Sequence, residues 1–219
     1  MTGLIYTAVA GNYDKLRPVK VREPDIDYVV FTDGQGVAGW EKKKLPIVGD
    51  ARMNARHIKV TTPTNLEKEY DWTLWVDGNM EIKSPITKMV PKWLETHSFA
   101  AFKHPWWQCL YTEIDKCRAR GKDKPERLEA ARKYLKEQEF PRNYGQLATW
   151  VLLRKQNDVV KQHAKLWWAD MKKYTMRDQV TFMLNTWRLG VGVAWIPGIY
   201  TSLDWYKNDW FQFHAGHRR

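Results

Sequence analysis

The sequence predicts a single α/β domain whose central sheet is mostly parallel and flanked by helices. Short apolar, β-rich runs alternate with segments of helical periodicity from the N-terminus onward, the pattern of strands joined by crossover helices. A length of 219 residues suits one core, since domains commonly run to roughly 100–200 residues. The composition, 43% hydrophobic and 28% charged without a low-complexity tract, belongs to a chain that folds.

Taken in order, Leu4-Ile5-Tyr6-Thr7-Ala8-Val9 is apolar and bounded by Gly3 and Gly11, which predicts a buried strand and a tight loop. Tyr28-Val29-Val30-Phe31-Thr32 predicts a second strand, stopped by Asp33-Gly34. From Ala51 to about Thr62, Met53, Ile58 and Val60 stand among basic residues as in a helix, closed by Pro63. Trp72-Thr73-Leu74-Trp75-Val76 is the third strand, and it ends abruptly in Asp77-Gly78-Asn79. A helix is expected near Ser84-Pro85, then a short strand over Phe99–Phe102 and an aromatic loop, His104-Pro105-Trp106-Trp107. Leu128, Ala131 and Leu135 recur at helical spacing between Pro125 and Glu139. An apolar run from Ala148 to Leu153 precedes an amphipathic helix through Trp167 and Trp168. A second helix follows from about Met176 to Trp187, with a last strand near Val193–Ile196. In such a sheet the ligand crevice lies beyond the carboxyl ends of the strands, so the loops after Val9, Thr32 and Val76 share one rim.

Composition narrows the function. No apolar stretch approaches the roughly 18 residues of a membrane span, and Met1-Thr2-Gly3-Leu4 lacks the layout of a signal peptide. The expected location is the cytoplasm, that of a host cell if the chain is viral. Cys109 and Cys117 are too few for a disulfide framework and too far apart for a zinc knuckle, so two reduced thiols are expected. A net charge of +11 with thirteen tryptophans favours a polyanionic partner, because phosphate-rich chains bind through counterion release and flat groups stack on indoles.

Asp77-Gly78-Asn79 sets a carboxylate and an amide two residues apart with a permissive glycine between, so that both oxygens can address one hard cation, Mg²⁺ or Mn²⁺. On its own the triplet is usually just the ordinary turn after a strand. Its neighbours decide. Tyr6 to Asp14, Asp27 to Asp33, Ala51 to Lys59 and Leu74 to Asn79 resemble, in order and spacing, the glycosyltransferase-like family that includes mucilage-related plant proteins and many microbial members. The resemblance continues through Lys103-His104-Pro105, Tyr111-Thr112-Glu113, Trp167-Trp168 and Arg177-Asp178-Gln179-Val180-Thr181-Phe182, covering roughly residues 4–185.

The resemblance implies a GT-A-type fold and transfer of a sugar from a nucleotide-diphospho-sugar, a UDP-sugar favoured, with Mn²⁺ or Mg²⁺ as cofactor. The whole of 1–219 is then one domain, with a nucleotide-binding part over about 1–100 and an acceptor and catalytic part over about 101–219. Thr7, Ala8, Asn12 and Tyr13 would line the base and ribose, with Asp33 nearby. Arg52, Arg56 and Lys59, at i, i+4 and i+7, form one basic helix face that would meet the diphosphate, or else a solvated stripe. Asp77, Asn79 and a late histidine, His214 in preference to His217, would hold the metal. Asp178 is the candidate catalytic or sugar-orienting acid, flanked by Arg177 and Gln179. His104, Trp106, Trp107 and Glu113 would line the acceptor side. Two acceptors fit the charge, a hydroxylated base in phage-type DNA and an anionic glycan. A different class of reading also fits: a nucleic-acid-binding protein that kept the fold and lost turnover.

Overall fold

The computed structural model describes residues 1–11, 13–65, 67–198 and 207–214. At its centre stands β1 (Gly3–Val9), buried along its whole length, with β2 (Ile26–Thr32) on one side and, on the other, a strand that begins at Trp72. Gly3 is required here: a Cβ on it would lie 2.1 Å from Trp72 Cζ2, inside the indole. Beyond β2 lies β3 (Glu41–Lys44), and the helix α1 (Ala51–Thr61) crosses over to β4 (Trp72–Val76). Met80–Ile82 is β5, Val90–Trp93 the short helix α2, and Phe99–Lys103 the strand β6. Two helices, α3 (Leu110–Ala119) and α4 (Pro125–Glu137), precede the long strand β7 (Leu147–Lys155). The helices α5 (Asp158–Lys173) and α6 (Asp178–Arg188) and the strands β8 (Val193–Trp195) and β9 (Phe211–Phe213) follow.

The main sheet runs β3-β2-β1-β4-β7-β6-β8, and β5 pairs separately with β9. Four of its pairings are parallel, while β7 runs antiparallel between β4 and β6. The expected α/β domain with a mostly parallel sheet is therefore what forms. Alternation along β1 sends Leu4, Tyr6 and Ala8 into a core shared with α1 and with α3 to α6, and Ile5 into a second core with Trp72, Leu74, α2 and Phe211.

Four elements depart from the sequence expectations. The helix expected near Ser84-Pro85 is confined to α2, because Val90-Pro91 is where a first turn with proline forms. Expected as no element, β3 is a polar edge strand, Glu-Lys-Lys-Lys, whose ladder with β2 needs no apolar alternation. The Tyr111–Glu113 segment lies in α3, whose Leu110, Ile114 and Cys117 face the core. The last strand is β9 rather than the one near Val193. Among the described residues no helix is long and apolar enough to cross a membrane. Cys109 and Cys117 are both buried and unpaired.

Candidate active site

The carboxyl end of β4 delivers Asp77 to the rim. Its N–H donates to the Trp150 carbonyl at 2.8 Å and its carbonyl accepts from Met80 N at 2.9 Å, which closes a tight turn. That turn presses on the loop after β1: a Cβ on Gly78 would fall 3.0 Å from both Val9 Cγ2 and Asp14 Cβ, so only glycine fits without a shift.

Across the crevice, α1 turns Arg56 and Lys59 of its basic stripe inward, whereas Arg52 is exposed and donates Nη2 to the Lys122 carbonyl at 2.9 Å. Lys59, 4% exposed, sets its Nζ 2.6 Å from Asp178 Oδ2 and 3.3 Å from Asp77 Oδ1. The helix that carries it starts at Asp50, whose side chain accepts from Met53 N at 2.7 Å. Its far end is pinned because the Lys59 carbonyl accepts both Tyr6 Oη and Arg154 Nη1 at 2.9 Å. Asp178 opens α6, where a carboxylate also meets the positive end of the helix dipole. Its Oδ2 accepts from Thr149 Oγ1 at 2.8 Å, its Oδ1 faces Arg56 Nη2 at 3.9 Å, and its carbonyl accepts from Trp167 Nε1 at 2.9 Å. Trp75 completes the group, donating Nε1 to Asp77 Oδ1 at 2.6 Å.

Charge is distributed unequally over the two acids. Burial pushes Asp178 up, but Lys59, Arg56 and Arg177 more than offset it, so the carboxyl sits far below the ordinary range. Asp77 moves the other way: burial raises it, Lys59 opposes, and the neighbouring Asp178 adds to the rise. Arg56 is lowered by burial to about 10, with Asp178 opposing, and so stays charged.

Past the end of β6 His104 continues the β6–β7 ladder, its N–H donating to the Gln146 carbonyl at 2.7 Å. His104 Nδ1 accepts the backbone N–H groups of Trp106 and Trp107 at 3.4 Å, which leaves the ring proton on Nε2, 3.7 Å from Glu113 Oε2. Burial, with Arg177 and Arg120 adding, lowers His104 to about 4. Glu113 accepts Trp107 Nε1 at 2.7 Å and Cys117 Sγ at 3.1 Å and faces Arg177 Nη2 at 3.7 Å. Gln179 is buried, with Oε1 3.4 Å from Arg177 Nη2. The aromatic loop is thereby wired to the residue before Asp178.

Near the ends of β2 and β3 a cavity of about 550 Å³ is lined by Asp33, Lys42, Lys44, Ile47 and Asn54 among others. The Asp33 carboxylate accepts Gly11 N at 3.0 Å and so couples the loops after β1 and β2. Thr7 and Ala8 are buried within β1, and Tyr13 is 53% exposed beside it. Asn12 lies outside the described residues, as does His217.

A family model described as TOD1/MUCI70, glycosyltransferase-like domain, matches residues 48–207, well over half of the chain. The chain belongs to this family. The TOD1/MUCI70 match takes in α1, the Asp77 turn and Asp178 and leaves out β1, β2 and His214, so it starts later than the resemblance read from residue 4. Two crystal structures of the galactosyltransferase LgtC are similar to the domain. One, a complex with donor and acceptor sugar analogues, has a TM-score of 0.46 at 13% identity, covering 89% of this chain and 73% of its own. The other, an active-site mutant, has a TM-score of 0.48 at 14% identity, covering 89% and 72%. No curated protein sequence matches the chain.

The residues around the Asp77 turn bear on the metal that the sequence resemblance implies. Asp77 keeps its side chain 32% exposed, and Asn79 follows at the same turn. His214 reaches this turn through its backbone, donating N–H to the Asn79 carbonyl at 2.9 Å. Its ring does not follow: Nε2 lies 2.7 Å from Glu81 Oε2, while Lys20 pairs with Glu81 Oε1 at 2.7 Å. Among the described residues no three His, Cys, Asp or Glu side chains form a metal cage. The part-buried Asp77 carboxylate, with the buried Asn79 amide beside it, fits a hard cation of the Mg²⁺ type, which keeps waters and takes its other oxygens from substrate phosphates.

Of the residues singled out in the sequence, Arg56, Lys59, Asp77, Arg177 and Asp178 lie together here, braced by Trp75, Thr149, Arg154 and Trp167, to which no individual role was assigned. Trp75 was findable, since residues two apart at a strand end share a face. Thr149 sits in an apolar run where one hydroxyl carries no signal.

Proposed function

We propose that this domain transfers a sugar from a nucleotide-diphospho-sugar, a UDP-sugar favoured, to an acceptor hydroxyl. The observation that carries the reading is the Lys59 ammonium bridging Asp77 and Asp178 on the rim of the sheet. Such a largely buried cluster of charges is costly to build for stability alone. The nucleoside would occupy the cavity lined by Asp33 and Asn54.

In this reading residues of about 1–100 hold the donor, and Arg52, Arg56 and Lys59 set fixed positive charge beside the diphosphate. A Mg²⁺ or Mn²⁺ ion on Asp77 and Asn79 would add neutralisation of the leaving group. The bond from the sugar C1 to the diphosphate oxygen breaks, and the acceptor oxygen takes its place. Asp178 is too strongly stabilised as a carboxylate to take a proton well, so its part is to orient the sugar and stabilise positive charge developing on the ring. The acceptor proton then leaves with the diphosphate. Arg177 and Gln179 hold Asp178 in place, and His104, Trp106, Trp107 and Glu113 face the acceptor, for which DNA and an anionic glycan are the two options.

The test is a panel of UDP-sugars read by mass spectrometry with modified DNA and glycans as acceptors. The wild type is expected to release UDP and build a product, and Asp77→Ala to abolish both. Full activity of that variant in excess chelator would sink the proposal.

A further inference from the structure

Next to the candidate active site lies a surface that the transferase chemistry itself does not use. Lys116, Arg118, Arg120, Lys122 and Lys124 are all exposed and follow one another around the end of α3 and the turn into α4. The one acid within residues 116–124, Asp123, faces away from this surface. Its Oδ2 accepts Thr175 Oγ1 at 2.6 Å and Met176 N at 2.8 Å, and its Oδ1 accepts Lys124 N at 2.8 Å. These bonds tie the basic turn to the segment just before Asp178. Arg52 ties it to the donor side as well, donating Nη2 to the Lys122 carbonyl at 2.9 Å.

From this turn Arg120 reaches the aromatic loop between β6 and α3. Arg120 holds its guanidinium 5.8 Å from the Trp106 ring centroid and 5.7 Å from that of Trp107. The two indoles are 5.5 Å apart and tilted by 34°, with Trp106 43% exposed. Trp107 Nε1 is fixed by Glu113, which also faces Arg177. A stacking surface is thus linked to the row of cations through Arg120 and to Arg177 through Glu113.

From this arrangement we infer that the acceptor is a single-stranded or locally unpaired nucleic acid, its phosphates running along Arg118, Lys122 and Lys124 and one base stacked on Trp106. The inference rests on the transferase reading and names its acceptor. Five cations with their single acid turned inward match a strand that carries a charge on every nucleotide, where counterion release adds with each contact. An indole flanked by a guanidinium is the surface on which unstacked bases rest. An anionic glycan is the competing occupant.

Fluorescence anisotropy of a labelled oligothymidylate, titrated with the full chain over a range of salt, tests this directly. Trp106→Ala is expected to weaken binding by about tenfold, the loss of one base stack. The double variant Lys122→Ala/Lys124→Ala is expected to lower the salt slope by about 1.4, at about 0.7 for each single-strand phosphate contact. Both sites are exposed, so the fold is not at stake. Strand binding unchanged by both variants, or tighter binding of polygalacturonate than of the strand at equal charge concentration, overturns the inference. Calorimetry with UDP is indifferent to either result, so a failure of the donor reading would be seen separately.

Discussion

The buried cluster around Lys59 and the exposed turn of Lys116 to Lys124 are both rich in positive charge, and they use it in opposite ways. In the cluster each ammonium or guanidinium meets a carboxylate or a carbonyl, and Lys59 is nearly inaccessible. Geometry is fixed there and salt has little access. On the turn the charges face water and the single acid is occupied elsewhere. Charge of the first kind orients a reaction, whereas charge of the second kind gathers a partner. The two regions should therefore respond to different perturbations.

Asp178→Asn should have the largest effect. It removes the negative end of the cluster and is expected to lower UDP release from a donor sugar by about 100- to 1,000-fold. Lys59→Met comes next. It keeps the aliphatic stem against Trp75 and leaves two acids facing each other. Breaking a buried pair in this way costs roughly 3–5 kcal/mol, to be read from denaturant unfolding. Asp178 has a depressed pKa, so its contribution to stability is present above the unfolded value near 3.9 and lost as pH falls further. In Lys59→Met that loss on acidification should shrink, which melting curves between roughly pH 2.5 and 5 would show.

His104 gives a smaller, separable effect. It is neutral and buried with a pKa of about 4, against roughly 6.5 unfolded, so the unfolded chain binds the extra proton between those values. Stability should therefore be complete above roughly pH 6.5 and fall by up to about 3 kcal/mol toward pH 4. His104→Gln should flatten that part of the profile. The smallest effect belongs to Lys122→Ala/Lys124→Ala, which should leave unfolding within about 0.5 kcal/mol of the wild type. It should change only the salt response of strand binding. A large loss of stability in this variant would erase the distinction between the two regions.

Much of the cluster was legible in the sequence because its members sit at informative spacings. Arg52, Arg56 and Lys59 mark one helix face, Asp77 ends an apolar strand, and Asp178 opens a helix. The contacts between them were not legible as distances, since Lys59 and Asp178 are 119 positions apart. His214 was misjudged for a related reason. Its partner Glu81 is reached only through the β5–β9 pairing, and no local pattern announced β9, three residues long. The net charge of +11 was visible, but the place of the basic turn beside Asp178 depends on Asp123 capturing Thr175, 52 positions away. An edge strand such as β3, all polar, escapes any reading based on apolar alternation.

The central claim is that the rim joining Asp77, Lys59 and Asp178 is a donor site. Calorimetric titration of UDP into the full chain with Mn²⁺ present tests it most directly. Heat of binding should depend on the metal, and the affinity should be at least about tenfold weaker in Asp77→Ala, as disturbance of a metal site commonly brings. An absence of UDP binding with Mn²⁺ present, or binding that Asp77→Ala leaves unchanged, would contradict it.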